Sequence, residues 1–180
     1  MADLHGKKVA IIVNNYFEEA ELAQPKAALE QAGAQVDIIA PEGDEVQGMK
    51  HDTDKSKTFK VDHHFDEVNL SDYDAMVIPG GTVNADKLRT VPEALTAIKT
   101  FMASNKPLAV ICHGPWTLIS AGIARGKRLT SFFTLKDDMR NAGADWVDEE
   151  VVIDGNLITS RNPDDLPAFN NALISMLATT

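Results

Sequence analysis

Four consecutive residues, Cys112, His113, Gly114 and Pro115, set a thiol and an imidazole beside two turn-forming residues at the end of the apolar run LAVI, residues 108–111. A cysteine between a strand and a tight turn into a helix can occupy an elbow that aims its sulfur along the helix N-terminus. The dipole and free N–H groups there favour thiolate, which predicts a pKa below the ordinary ~8.5. The N–H of His113, with that of Gly80 or Gly81 in the stretch IPGGT, can converge on a developing oxyanion, because glycine permits close backbone approach. Glu18, Glu19 and Glu21 in FEEAEL open a predicted helix, where carboxylates suit the dipole. Glu19 and Glu21 are read that way, but one of the three can lie beside the thiol as a neutral acid able to move protons. A lone cysteine in an apolar strand usually serves packing. The histidine, glycine and helix-starting proline that follow favour the reactive reading.

The elements that must position these groups alternate. KVAIIV is a continuous apolar run of the kind found in a strand covered on both faces. Leu22, Ala23, Ala27, Ala28 and Leu29 then recur at helical spacing, with Gly33 as the stop, and AQVDIIAP is a second strand. Together they form one βαβ unit. Residues 42–73 are polar, with HDTDKSK predicted as a turn and TFKVDHHF as a strand or hairpin arm. YDAMVIPGG and KPLAVICHG restore the core pattern, with a helical stretch between them that breaks or restarts near Pro92. KRLTSF reads as a strand and LKDDMRNAG as a helix. EEVVIDGNLITSR reads as a hairpin turning at Asp154-Gly155, and PDDLPAFNNALISML as a closing helix. The sum is a single α/β domain over residues 1–180, a sandwich with a mostly parallel sheet and a small antiparallel addition. NNYFEE, IPGGT and ICHG all fall at carboxyl ends of strands, where such sheets bind ligands.

The chain has 180 residues, 44% of them hydrophobic and 24% charged, as expected of one globular domain. A net charge of -10 argues against nucleic-acid binding. No apolar run approaches the ~20 residues that span a bilayer. The N-terminus reads as a first strand and not a secretory signal, and a single cysteine fits a reducing cytoplasm. Tandem His63 and His64, near Asp62 and Asp66, would point to opposite faces of a strand and cannot readily share an ion, so no metal and no cofactor are expected. Trp116 and Trp146 are read as packing, with Trp116 also able to line a pocket at the elbow.

FEEAEL, VIPGG, AVICHGPWTLISAG, TSFFTLKDDMRNAGADWVDEEVVIDGN and TSRNPDDLPAF together resemble the PfpI-type intracellular proteases of the DJ/PfpI superfamily, from about Lys7 to the last helix. The resemblance implies a flavodoxin-like three-layer sandwich and a homo-oligomer, at least a dimer. It implies Cys112 as elbow nucleophile, Glu18 as the carboxylate on its sulfur and His113 as its partner. It also implies an acidic residue after the PGG turn of a neighbouring subunit, for which Asp86 in TVNADKLR is the candidate. That segment departs from the family pattern in being one residue longer and in offering Asp for Glu. The activities implied are peptidase or amidase action, glyoxalase-type conversion of methylglyoxal, and deglycation of early protein adducts in stress. The common chemistry is thiolate addition to an activated carbonyl. The expectation is therefore a cysteine-dependent hydrolase or lyase acting on small carbonyl compounds, glycated proteins or peptides. The alternative is a redox sensor or holdase whose cysteine is oxidised without turnover. A glutamine amidotransferase domain shares the elbow, but every other histidine (His5, His51, His63, His64) precedes the cysteine, which disfavours it.

Overall fold

The computed structural model describes residues 2–180. In chain order the strands are β1 (Lys8–Ile12), β2 (Phe17–Glu18), β3 (Gln35–Ala40), β4 (Glu45–Lys50), β5 (Asp54–Lys60), β6 (His63–His64), β7 (Ala75–Ile78), β8 (Leu108–Ile111), β9 (Arg128–Leu129), β10 (Asp145–Trp146), β11 (Val152–Asp154) and β12 (Leu157–Ser160). The helices are α1 (Glu19–Gln31), α2 (Thr82–Leu88), α3 (Pro92–Ser104), α4 (Trp116–Ser120), α5 (Lys136–Asn141) and α6 (Leu166–Ala178).

Seven strands form the central sheet in the order β11-β12-β8-β7-β1-β3-β6, parallel throughout except for the β11–β12 pair. Because successive side chains alternate across a strand, β1 feeds two cores. Val9 and Ile11 pack with Leu22 and Leu29 of α1 and with Phe169 and Leu173 of α6. Ala10 and Ile12 pack with Ile98 and Phe101 of α3 and with Leu118 of α4. This is the expected three-layer sandwich, and it explains why KVAIIV carries no polar alternation. From β1 the chain crosses to β3 on one side and later returns to β7 on the other. The carboxyl ends of β1, β7 and β8 therefore meet at a topological switch point, the place where open sheets of this kind leave a crevice.

Several local expectations shift. Pro92 begins α3 at its first turn, as read. The polar stretch after β3 is an antiparallel hairpin, β4–β5, whose tip is only His51 to Thr53; the DKSK residues expected in the turn belong to β5. Alternating charge hid that strand. His51 and Asp52 sit at φ +53° and +65°, so the tip is sharply turned. Strand β4 pairs with β2 (Phe17↔Gly48, Glu18↔Met49), which brings the tip to the carboxyl end of β1. The β11–β12 register, Asp154↔Leu157, puts Gly155 and Asn156 in the turn, one residue beyond the expected pair. Gly155 supplies a positive φ of +61° at the first central position. KRLTSF contributes only the short β9, because its later residues turn toward the site. Ala27, expected on the buried face of α1, is exposed, while Glu21 and Pro25 take that face. His64 meets Glu67 and Asp66 with their ligand atoms within 4.8 Å, an arrangement that His64 and Glu67 already use to cap the short turn after β6.

Between β12 and α6, Asp165 is buried at 3% exposure and accepts from Arg161 N, Nε and Nη2, each at 2.9 Å. This clamp fixes the turn carrying Pro163. Removing the carboxylate leaves the Arg161 N–H and Nε without their acceptor, with only the exposed Asp148 still on Nη1 at 2.9 Å, so Asp165→Ala is expected to lower stability by about 1–3 kcal/mol in urea unfolding. A loss under 0.5 kcal/mol would contradict the clamp.

Candidate active site

Cys112 follows β8 at φ +64°, a left-handed conformation that costs a non-glycine residue about 1–2 kcal/mol. Neighbours hold it there: its N–H donates to Ser160 O at 3.0 Å, and its C=O accepts from Phe132 N at 2.7 Å. Gly114 closes the turn with its N–H on Ile111 O at 2.9 Å, where a Cβ would meet Val110 Cγ1 at 2.8 Å. The elbow read from the sequence is present. The helix it feeds, α4, has only five residues, so its dipole is a small influence.

The carboxylate beside the sulfur is Glu21, not Glu18. Glu21 is fully buried, and its Oε1 accepts Gly80 N at 2.8 Å. Its Oε2 is buried with no hydrogen-bond partner, and the Cys112 thiol is the side chain that interacts with the carboxyl. Burial without a counter-ion pushes its pKa from the ordinary 4.5 up to about 8, against the lowering hydrogen bond from Gly80. The spacing carried this signal: Glu21 lies one turn before Pro25 and adjoins Leu22 on the buried face of α1. Glu18 sits in β2, and its Oε1 and Oε2 accept the N–H groups of His51 and Asp52, both at 2.9 Å.

Cys112 is 6% exposed. Burial pushes its thiol up, as does the nearby Glu21 charge, while the N–H groups of Gly81 and His113 pull it down. The expected depression is therefore reversed in direction, because the sulfur lies in the wall and not in solvent. The Glu21 contribution exists only while Glu21 is ionised, so thiol and carboxyl titrate as a unit.

His113, 8% exposed, turns Nδ1 to within 3.4 Å of Cys112 Sγ and Nε2 to within 3.2 Å of Thr82 Oγ1. Its ring stacks on Phe132 with centroids 4.6 Å apart, and burial lowers its pKa. Thr82 donates from Oγ1 to Asp52 Oδ2 at 2.5 Å and from N to Asp52 Oδ1 at 2.7 Å. Thr82 closes the stretch IPGGT and Asp52 lies in HDTDKSK, predicted as a turn, but no spacing in the sequence links the two, because their contact is made across 30 residues.

The other expected residues divide. Gly81, at φ +86°, lines the cleft and keeps its N–H toward the sulfur. Gly80 spends its N–H on Glu21, so it cannot serve an oxyanion; its lack of a Cβ is required because one would lie 2.6 Å from Glu21 Oε1 and 2.7 Å from Cys112 Cβ. Trp116 leaves the cleft: it meets the His113 ring edge-on at 5.4 Å, donates Nε1 to Asp138 and lies under Arg89. Asp86 is exposed on α2, four residues after Thr82, and its side chain makes no hydrogen bond among the described residues. The cleft over Cys112 encloses about 490 Å³. Carboxylates of Glu18 and Asp52, the Phe132 ring and Pro163 line it, with no lysine or arginine among its lining residues.

The DJ-1/PfpI family model matches residues 7–176. The chain belongs to the DJ-1/PfpI family. It is 41% identical to general stress protein 18 of Bacillus subtilis over 96% of this chain and 98% of that one. It is 40% identical to deglycase PfpI of Pyrococcus furiosus over 94% and 99%, and 39% identical to protein/nucleic acid deglycase 2 of Escherichia coli over 95% and 98%. Among solved structures, a two-domain protein from Anabaena variabilis with DJ-1/ThiJ/PfpI-like and ferritin-like domains superposes with TM-score 0.88 at 39% identity, covering 95% of this chain and 48% of that chain. Drosophila melanogaster DJ-1beta superposes with TM-score 0.86 at 28% identity, over 97% and 91%. No helix among the described residues is long and apolar enough to cross a membrane.

In the unfolded chain Glu21 titrates near 4.5, and in the fold near 8, so the fold retains a proton that the unfolded chain releases. Its contribution to stability is fully present below about pH 4.5 and is lost as pH rises through 8. Glu21→Gln should therefore gain stability over the parent by a few kcal/mol at pH 9 and by little at pH 4.5, read by thermal unfolding across pH; an equal effect at both would contradict the assignment. Iodoacetamide alkylation of Cys112 should show a step near pH 8 that Glu21→Gln abolishes and Glu18→Gln retains. Loss of the step in Glu18→Gln alone would reverse the two residues' places.

Proposed function

We propose that this protein is a cysteine-dependent stress enzyme that acts on reactive carbonyl compounds and on their adducts with protein amines. What carries the reading is the meeting, in one substrate-sized cleft, of a strained thiol and a buried carboxyl whose pKa is raised to about 8. Such a pair can deliver a nucleophile and move a proton without solvent. The names of its relatives, which include deglycases, a general stress protein and a putative cysteine protease from Bacillus subtilis, support the same chemistry.

The steps follow from the groups present. The thiol proton passes to His113 Nδ1, and the sulfur adds to the carbonyl carbon. The C=O electron pair moves to oxygen, which takes a proton from the Glu21 carboxyl, giving a hemithioacetal. For an α-oxoaldehyde, the Glu21 carboxylate lifts the proton from the sulfur-bearing carbon while the neighbouring carbonyl oxygen takes the proton held on His113, giving an enediol. Glu21 then returns its proton to that neighbouring carbon as the hydroxyl on the sulfur-bearing carbon gives its own back to His113, leaving a thioester. Water then releases a hydroxy acid and restores the thiol. For an amine adduct, a C–S bond forms as the C–N bond breaks, and the amine departs with a proton. The N–H of Gly81 is the donor available to the oxyanion. Peptide or amide hydrolysis draws on the same nucleophile as a weaker activity. We assign the protein to the cytoplasm as a homo-oligomer, with Asp86 facing a neighbouring subunit.

Cys112→Ser should lower methylglyoxal consumption and amine release from a freshly glycated peptide by at least 100-fold, and Glu21→Gln by about 10- to 100-fold. Full activity in Cys112→Ser would overturn the reading. Stoichiometric peroxide oxidation of Cys112 with no turnover of any carbonyl would replace it with the sensor.

A further inference from the structure

We propose that Asp52, at the tip of the β4–β5 hairpin, acts through Thr82 as the positioning carboxylate for His113, so that one chain supplies the whole relay behind Cys112. The inference rests on the nucleophile assigned to Cys112.

Hydrogen-bond direction carries the argument. Asp52 is acceptor-only when ionised, so the 2.5 Å contact from Thr82 Oγ1 to Asp52 Oδ2 uses the single hydroxyl proton of Thr82. Thr82 Oγ1 is then left with lone pairs, and the ring nitrogen 3.2 Å away must donate to it. That nitrogen is Nε2. A neutral imidazole carrying its proton on Nε2 has a bare Nδ1, and Nδ1 is the atom that faces Cys112 Sγ at 3.4 Å. The carboxylate thus selects the tautomer able to accept the thiol proton. Once the ring is charged, the proton on Nε2 still points down the path to Asp52.

Glu18 explains how an exposed hairpin tip holds this place. Its two oxygens accept the adjacent N–H groups of His51 and Asp52, both residues at positive φ, and Thr82 N adds a second contact to Asp52 at 2.7 Å. The path Glu18, hairpin tip, Asp52, Thr82, His113, Cys112 is continuous within one chain. The charge of Asp52 also opposes the lowering of the His113 pKa by burial.

The test is nitrogen NMR of the His113 ring in protein labelled with 15N-histidine, across pH, alongside steady-state methylglyoxal kinetics. The parent ring should be neutral at pH 7 with its proton on Nε2. Asp52→Asn should shift its titration to lower pH and reduce kcat about tenfold or more, with KM changed less than twofold. Thr82→Val should mix the tautomers, and Thr82→Ser, which keeps the hydroxyl, should restore the parent spectrum. A parent ring protonated on Nδ1 would overturn the proposal, as would a ring indifferent to Asp52→Asn and Thr82→Val. A response to Asp86→Asn as large as that to Asp52→Asn would also overturn it. The ring spectrum decides this even for a protein that consumes no carbonyl, in which case the kinetic arm bears on the nucleophile alone.

Discussion

A carboxyl buried against a thiol with one oxygen unpartnered is the constraint around which this site is arranged. Glu21 reaches Cys112 only because Gly80 has no side chain and gives its N–H to Oε1. The first turn of α1, the end of β7 and the elbow after β8 are thereby drawn to one point. Ionising that carboxyl costs free energy in every folded molecule, which is why it retains its proton at neutral pH. A stability cost at the place where the chemistry occurs is expected when a site requires a neutral acid next to a nucleophile.

The strained cysteine depends on the same convergence. Ser160 at the end of β12 and Phe132 after β9 supply the hydrogen bonds that stabilise φ +64°, and Arg161 and Asp165 hold the adjoining turn. Segments distant in sequence are thus each tied to Cys112 through a backbone or charge contact. The topological switch between β1 and β7 leaves the crevice, and the β4–β5 hairpin closes one side of it with carboxylates. A cleft lined by Glu18 and Asp52 and by no lysine or arginine suits neutral or cationic partners and repels anionic ones.

Much of this was legible in the sequence where periodicity or turn chemistry was strong. The doubly covered β1, the break at Pro92, the parallel architecture and the elbow at Cys112 follow from apolar runs and from glycine and proline placement. Three glutamates crowd one helix start, so residue type leaves the carboxylate open among them and the resemblance points to Glu18; the buried stripe of Leu22, Pro25 and Leu29 is the signal that Glu21 joins. Only the far end of β5, in TFKVDHHF, is legible as a hairpin arm, because the rest of the strand is charged and mostly exposed and burial does not imprint on its pattern. Asp52 is not legible either, since its role depends on a tip contact made across 30 residues of chain. Trp116 and Gly80 were near the elbow in sequence but not free to act at it: one packs behind His113, and the other is occupied by Glu21. The thiol's direction of shift was inverted because a short helix gives little dipole, whereas burial acts on the whole side chain.

The site depends on Glu21 being a neutral acid beside the sulfur at physiological pH. Carbon-13 NMR of the glutamate side-chain carboxyls, with Glu21 assigned by its loss in Glu21→Gln, measures that protonation directly. One carboxyl should stay protonated at pH 7 and titrate near 8, with a coupled change at Cys112. A Glu21 signal already ionised at pH 6 would contradict it and return the carboxylate to a purely structural place in α1.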